Sequence, residues 1–337
     1  MSNLRIHGGD AGGTDDASRE ASRPVRKILY IGNFFADYLT ETHLANSLEE
    51  IGIEVVRVNE KNCTEEKIRA LANGCDTVFY QRTFGMPFDF RKLGLRSVSY
   101  TLDLYFGLQR QIGMAQNPFW KADHVFTVDG GHEDAFRNRG IAHHFLPAAV
   151  YGRECHLGTP REEFSCDVAF VGTYHYLKDW PYRRKLIDFL TATYGDRFKL
   201  FGDVIANKDP GHKVMVFGNE LNDLYASAKV VVCDSINSPF YWSNRVYETL
   251  GRGGFAIHPK IEGLEREFIY GKHLVPYFFG DFQGLRGKID HYLAHPSERE
   301  EIRLAGHEFV KNHKTFKQRA QQIIKIINGE IIDPFKT

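Results

Sequence analysis

Neither sign of charge prevails in this 337-residue sequence: 43 Lys and Arg stand against 43 Asp and Glu. A chain without net charge has no global field to draw it onto nucleic acid or an anionic membrane, although a local basic groove stays open. Cysteine is sparse. Cys63, Cys75, Cys155, Cys166 and Cys233 are odd in number, scattered, and form no CxxC. That pattern argues against a disulfide framework or a zinc site and fits reduced thiols in a cytoplasmic protein. No apolar run approaches the ~18 residues that a spanning helix needs, so any membrane contact is expected to be peripheral. The N-terminus lacks the apolar core of a signal peptide. Several signatures are missing as well: GxxxxGKS, HExxH, GxSxG, and a GxGxxG after the first strand. Their absence disfavours a P-loop hydrolase or an ordinary NAD enzyme. No DxD lies in a promising loop, so neither a cofactor nor a metal-carried diphosphate is indicated.

The length suits two cores better than one. Residues 1–24 offer almost nothing to bury and are expected to be disordered. Order begins with an apolar run at 27–34 that ends in Gly32. A helix is expected at 40–52, with Leu44, Leu48 and Ile51 as its apolar stripe and Gly52 as its stop. Strands at 54–60, 76–82, 97–103 and 124–130 alternate with helical stretches at 67–74 and 133–140. Such alternation predicts a parallel sheet covered on both faces. Prolines, glycines and charges at 147–165 read as a linker, and the pattern then restarts. A strand is expected at 166–174 and a helix at 181–195, opened by Pro181 and closed by Gly195. Further strands are expected within 198–204, 230–235 and 254–259. The stretch 297–313 opens with a capping-box pattern, Ser297 to Glu300, and an amphipathic segment runs to about residue 327. The expected fold class is α/β, with a domain at 25–155, a second at 156–315 and a terminal segment at 316–337.

Ligands of open parallel sheets gather at the carboxyl ends of strands, and two such domains place the site between them. In the second domain the segment SNRVYETLGRGGFAIHP, 243–259, sets Arg245 and Glu248 one helical turn apart before a glycine cluster. Ser243 or Asn244 can cap that helix. Its free N–H groups and Arg245 suit a phosphate, and Glu248 suits the paired hydroxyls of a ribose. The plainer alternative is a surface Arg245–Glu248 ion pair. Gly172, Thr173, Tyr174 and His175 follow a strand and can admit a diphosphate. Arg183 and Arg184 read more readily as a solvated basic face. Lys208 and Lys213 sit in a polar loop within reach of an anion.

In the first domain Asn33 and Asp37 follow the first strand, and Asp103 ends another. Asp103 can act as a general base or stabilise positive charge at a sugar carbon; the alternative is a helix cap. Asp129, His132 and Glu133 share a glycine-rich turn. His132 can bind a sugar hydroxyl, or else cap a helix or face solvent. Tyr100, Tyr105, Phe106, Phe119 and Trp120 cluster near Asp103, either to stack on a sugar or base or to fill the core.

VAFVGTY with RRKLIDFL, then LYASAKVVVCDS, SNRVYETLGRGGFAIHP, GLEREF and HKTFKQRAQQII resemble the GT-B glycosyltransferases of group 1 type. The similarity is greatest to the spore maturation protein CgeB-like group and spans roughly 165–328. The resemblance implies two Rossmann-like domains facing across a cleft, and a final helix that crosses back to the first. It implies a nucleotide-sugar donor on the second domain, UDP-linked by default. Glu248 matches the glutamate that binds the donor ribose, and Arg245 and the Gly172 loop would lie near the diphosphate. Related retaining enzymes carry a glutamate eight positions earlier, where this sequence has Phe240. Asp103 and His132 become the catalytic candidates, Asn33, Asp37 and Tyr105 the acceptor-side ones. The acceptor stays open among a glycan, a protein, a metabolite and modified phage DNA. A nucleotide-sugar epimerase and a non-catalytic nucleotide- or sugar-binding module are the competing readings.

Overall fold

The computed structural model describes residues 24–83, 85, 88–174, 180–202 and 216–336. Two parallel sheets carry the fold. The first takes β1 (Lys27–Gly32), β2 (Glu54–Asn59), β3 (Thr77–Gln81), β4 (Arg96–Thr101), β5 (His124–Thr127) and β6 (His143–Phe145) in the order β2-β1-β3-β4-β5-β6. The second takes β7 (Cys166–Val171), β8 (Phe198–Phe201), β9 (Ala228–Val232), β10 (Ala256–Pro259) and β11 (Val275–Tyr277) in the order β11-β10-β9-β7-β8. Every strand pair is parallel, with Leu29 of β1 set between Val56 and Val78. β6 and β11, three residues each, escape a reading by periodicity. The expected disordered tail falls almost wholly outside the described residues, as do His175, Lys208 and Lys213.

Strict alternation explains why β1 is buried from Ile28 to Gly32. Ile28 and Tyr30 join one core with Leu44 and Leu48 of α1 (Thr40–Glu50). Leu29 and Ile31 join the opposite core with Ile68 of α2 (Glu65–Leu71) and Phe136 of α3 (Glu133–Arg137). Side chains of a strand point to alternate faces, so helices on both sides bury all of it. The second sheet repeats this. Phe170 and Val232 pack under Leu186 of α4 (Tyr182–Tyr194), while Ala169 and Val231 meet Leu224 of α5 (Asn219–Ser227).

A further core is shared by the two halves. Leu104, Val128, Val150 and Cys155 pack with Val246, Tyr247 and Leu250 of α6 (Arg245–Gly251). The stretch 147–165, read from composition as a linker, is therefore structured: residues 147–151 are buried, and single 3-10 turns form at Gly152–Glu154 and Glu162–Phe164. Its prolines and glycines shape turns while its apolar residues enter the shared core.

After α7 (Leu264–Glu267) and α8 (Phe282–Ala294), α9 runs Pro296–His313. The Ser297–Glu300 capping box does not form. His295 is the N-cap and Pro296 takes the first helical position, so Ser297 already lies inside the helix. Glu300 instead pairs with Arg303 at 2.6 Å. A capping box does occur one helix later, where the Thr315 N–H donates to Gln318 Oε1 at 3.0 Å. That helix, α10 (Phe316–Ile327), buries Phe316, Ala320, Ile323 and Ile327 in the α1 core of the first sheet. Its Arg319 is fully buried and donates to Glu267 at 2.8 Å and to the Ala148 carbonyl at 3.2 Å. Among the described residues, no helix is long and apolar enough to cross a membrane.

Candidate functional site

The two sheets approach each other near their carboxyl ends. Gly130 N–H donates to the Phe240 carbonyl at 3.2 Å. A Cβ at Gly131 would come within 2.5 Å of the Pro239 carbonyl, so only glycine permits this approach. Phe240 itself has φ +51, an uncommon conformation for a bulky residue. Tyr38, after β1, stacks face to face on Phe217 with ring centroids 4.4 Å apart.

In the second sheet the connections reverse direction between β7 and β9. Beyond the ends of these two strands lies an ionic cluster. Asp234 is 2% exposed and takes Arg183 Nε at 2.6 Å, while its other oxygen accepts from Arg245 Nη1. Arg245 Nε also donates to the Val171 carbonyl, and both guanidiniums lie over the Phe170 ring, at 5.2 Å for Arg245 and 5.8 Å for Arg183. Arg183 Nη1 reaches Thr173 O and Oγ1, each at 3.3 Å. Burial alone would raise the Asp234 carboxyl, but Arg245 and Arg183 outweigh it and hold it below the usual carboxylate range. Two cations thus converge on Asp234. Gly172 has φ +147, and a Cβ there would sit 2.6 Å from Arg245 Nη2, so glycine is needed both for its backbone and for the arginine's place.

The reading of Arg183 as a solvated cation is corrected: its side chain is 6% exposed and salt-bridged. Arg184, its neighbour, is exposed. Asn244 is helical and makes no side-chain cap, whereas Ser243 Oγ accepts from Arg245 N–H at 3.3 Å. Tyr174 donates to Asp188 at 2.7 Å, and the Arg184 guanidinium lies 5.9 Å over its ring.

Glu248 does not form a surface pair with Arg245. It accepts from Arg252 Nε at 2.7 Å, one turn further along. Arg252 is 3% exposed and also donates to Asn222 at 2.7 Å, to the Gly218 carbonyl at 2.9 Å and to Glu154. One guanidinium therefore holds Glu248, the backbone beside Phe217 and the segment joining the sheets. His43 of α1 lies 3.7 Å from Glu154, stacked on Tyr151, and within the fields of Glu248 and Asp37. Burial lowers the His43 pKa, so the ring is largely neutral at pH 7.

Burial pushes the Glu154 carboxyl up to about 7; Arg252 opposes this and the charge of Glu248 adds to it. A carboxyl whose folded value exceeds its unfolded one keeps its proton longer in the folded chain. Stability is then lost as pH rises from about 4.5 to about 7 and is level above. Between pH 5 and 8 the stability difference should move by about 2–3 kcal/mol in favour of Glu154→Gln over the parent chain. Melting curves of both across that range check this; a difference independent of pH would contradict it.

In the first sheet, Asp129 is fully buried and accepts Nδ1 of His132 at 2.6 Å, with Phe106 and Tyr105 N–H groups on its other oxygen at 2.8 and 3.1 Å. His132 is 29% exposed and stacks on Phe106. A buried carboxylate so placed fixes the ring's orientation and tautomer. Asp103 is exposed just beyond β4, and its N–H donates to Thr101 Oγ1 at 3.1 Å. No helix starts at Asp103, so it is not a cap. Tyr100 and Phe119 are fully buried core residues, while Tyr105 and Trp120 form a wall of a cavity that Asp103 also lines. Asn33 is half-buried, and its Oδ1 has no partner among the described residues. Asp37 belongs with His43 near Glu248 rather than with that cavity.

Sequence reasoning passed over Asp234, Arg252, Asn222 and Glu154. Asp234 carried a usable signal, a carboxylate closing an apolar strand. Arg252 lies four positions after Glu248, a helical spacing that could have suggested their pair, but its contacts with Asn222 and Glu154, 30 and 98 positions away, leave no local pattern. Among the described residues no group of three or more His, Cys, Asp or Glu is placed to hold a metal.

Residues 183–325 match a family model described as glycosyl transferase-like. A search of curated proteins gave no match. Solved structures resemble about nine-tenths of the chain. Anabaena HepE in complex with UDP and glucose superposes with a TM-score of 0.63 at 14% identity, over 90% of this chain and 99% of that one. The trehalose-6-phosphate protein from E. coli bound with UDP-2-fluoro glucose gives 0.61 at 10% identity, over 90% and 99%. Sucrose-phosphate synthase from Thermosynechococcus elongatus gives 0.56 at 14%, over 89% and 98%. At such identities the likeness is one of fold. This chain has the two-sheet α/β fold of the GT-B glycosyltransferases.

Proposed function

We propose that this chain is a metal-independent glycosyltransferase of the CgeB-like group that moves a sugar from a nucleotide-sugar donor, UDP-linked by default, to an acceptor hydroxyl. One observation carries the reading. At the switch point of the second sheet, where open α/β sheets take their ligands, Arg183 and Arg245 converge on a single carboxylate and set two guanidiniums beside Gly172.

As the bond from the sugar carbon to the diphosphate breaks, negative charge gathers on the leaving phosphate. Cations fixed before the reaction stabilise that charge without reorganising. Arg245, Ser243 and Asn244, with Gly172, Thr173 and Tyr174 opposite, form the diphosphate side. Glu248 accepts from the ribose hydroxyls, steadied by Arg252. On the other side Asp103 meets the acceptor hydroxyl and stabilises positive charge on the sugar carbon. His132, oriented by Asp129, bonds a hydroxyl of the transferred sugar. Asn33 and Tyr105 complete the acceptor side, while Asp37, beside His43 and Glu248, falls on the ribose side of the donor instead. The outcome we propose is retention: the acceptor oxygen bonds the sugar carbon, the electron pair leaves with the diphosphate, and the acceptor proton ends on the leaving phosphate. The five free thiols support a cytoplasmic setting.

A turnover assay separates the alternatives. The chain is incubated with UDP- and GDP-sugars, with and without EDTA, and products are resolved by NMR. Released nucleoside diphosphate, unaffected by EDTA, supports transfer. A new sugar isomer without release would make it an epimerase, and binding with neither product a binding module.

A further inference from the structure

Beyond the ends of β3 and β4 opens a chamber of about 530 Å³, lined by Arg82, Thr83, Asp103, Tyr105, Arg110 and Trp120 among others. Small-molecule sites typically measure about 300–1,000 Å³, so the chamber suits a ligand of sugar size.

Several arginines at the surface of this half pair with carboxylates: Arg57 with Glu49 at 2.6 Å, Arg69 with Glu65 at 2.7 Å, Arg91 with Asp89 at 2.6 Å, and Arg137 with Asp134 at 2.9 Å. Arg82 and Arg110 differ. Among the described residues neither guanidinium has a hydrogen-bond or ion-pair partner, although Asp103 lines the same chamber. The Tyr105 hydroxyl feels all three charges. The loop that carries Arg110 is anchored by its N–H, which donates to the Tyr105 carbonyl at 2.8 Å. The chamber thus presents two unpaired guanidiniums, one carboxylate and an aromatic wall. A guanidinium binds an oxyanion through two parallel hydrogen bonds, and a carboxylate accepts from hydroxyls but repels anions.

We propose that this chamber takes a small hydroxylated anion, a sugar phosphate or sugar acid, whose phosphate or carboxylate lies against Arg82 and Arg110 while a hydroxyl meets Asp103. The inference rests on the transferase reading, in which this molecule is the acceptor. The chamber's size and its two cations favour such a molecule over a neutral polymer.

The test is calorimetric titration of the full chain, saturated with the nucleoside diphosphate it binds best. The probes are glucose 6-phosphate, glucuronate, glucose and inorganic phosphate. Glucose 6-phosphate or glucuronate should bind at least about tenfold tighter than glucose. Arg82→Ala and Arg110→Ala should each remove most of that advantage, with nucleotide affinity and melting temperature unchanged, and Arg82→Lys should restore part of it. Competition by inorganic phosphate would show that the free anion suffices; its failure to compete would show that the anion is read only on a sugar. Either supports the proposal. Equal affinity for glucose and the anionic sugars, or no binding of either anionic sugar while nucleotide still binds, would overturn it and leave the donor reading intact. A chain that binds no nucleotide would overturn both.

Discussion

Exchange of Asp103 for asparagine is expected to lower sugar transfer by a factor of about 10²–10³ while nucleotide affinity and melting temperature stay as they are. The side chain is exposed beyond β4, and among the described residues only its backbone N–H is bonded, to Thr101. Removing its charge therefore disturbs no packing or ion pair. Asparagine keeps the shape and can still accept a hydrogen bond, but it cannot balance positive charge on the sugar carbon. The loss should fall on kcat, because that charge develops only in the transition state. Steady-state kinetics of Asp103→Asn check this. A change confined to KM would make Asp103 a binding group only, and unchanged kinetics would remove it from the site.

The second large effect is structural. Glu267 is fully buried in its side chain and answers two buried cations, Lys314 at 3.0 Å and Arg319 at 2.8 Å. It also accepts from the Tyr247 hydroxyl at 2.7 Å, which in turn takes the Trp242 N–H at 2.8 Å. Burial lowers the Lys314 pKa while Glu267 pulls it back, so the lysine depends on this carboxylate for its charge. Glu267→Ala would leave Arg319 charged and unanswered in the core. Breaking a buried pair from one side costs about 3–5 kcal/mol. The melting temperature should fall by roughly 4–7 °C, with amide exchange rising first in α10, which Arg319 ties to Glu267. A fall of less than about 1 kcal/mol would mean that water reaches these groups readily. Glu267→Gln, which keeps the volume and an acceptor for Tyr247, should fall between the parent chain and the alanine variant.

Much of the fold could be read from local pattern because its strands are short apolar runs buried on both faces. β1, β3, β7 and β9 each announce themselves this way, and Gly52 and Gly195 mark helix ends. β6 and β11 are too short to carry a period. The Ser297–Glu300 pattern misled because Pro296 starts the helix two residues before a Ser297 cap would allow. At the candidate site, sequence order set Arg245 and Glu248 on one turn, as donor-binding groups or, in the plainer alternative, as an ion pair with each other. Each instead has a partner of its own, Asp234 and Arg252. Arg183 looked solvated beside Arg184, yet Asp234, 51 positions away, draws it into the fold. The Glu248–Arg252 pair has ordinary helical spacing, whereas the pairing of Arg183 and Arg245 through Asp234 lies beyond what local spacing encodes.

The donor reading turns on whether Glu248, Arg183 and Arg245 hold a nucleoside diphosphate. Calorimetric titration of UDP, GDP, ADP, CMP and TDP into the parent chain and Glu248→Ala, in the presence of EDTA, decides it. One nucleotide should bind the parent chain without metal, and Glu248→Ala should weaken it at least about tenfold with the fold intact. Equal affinity in the two chains, or no nucleotide binding to the parent chain, would contradict that role.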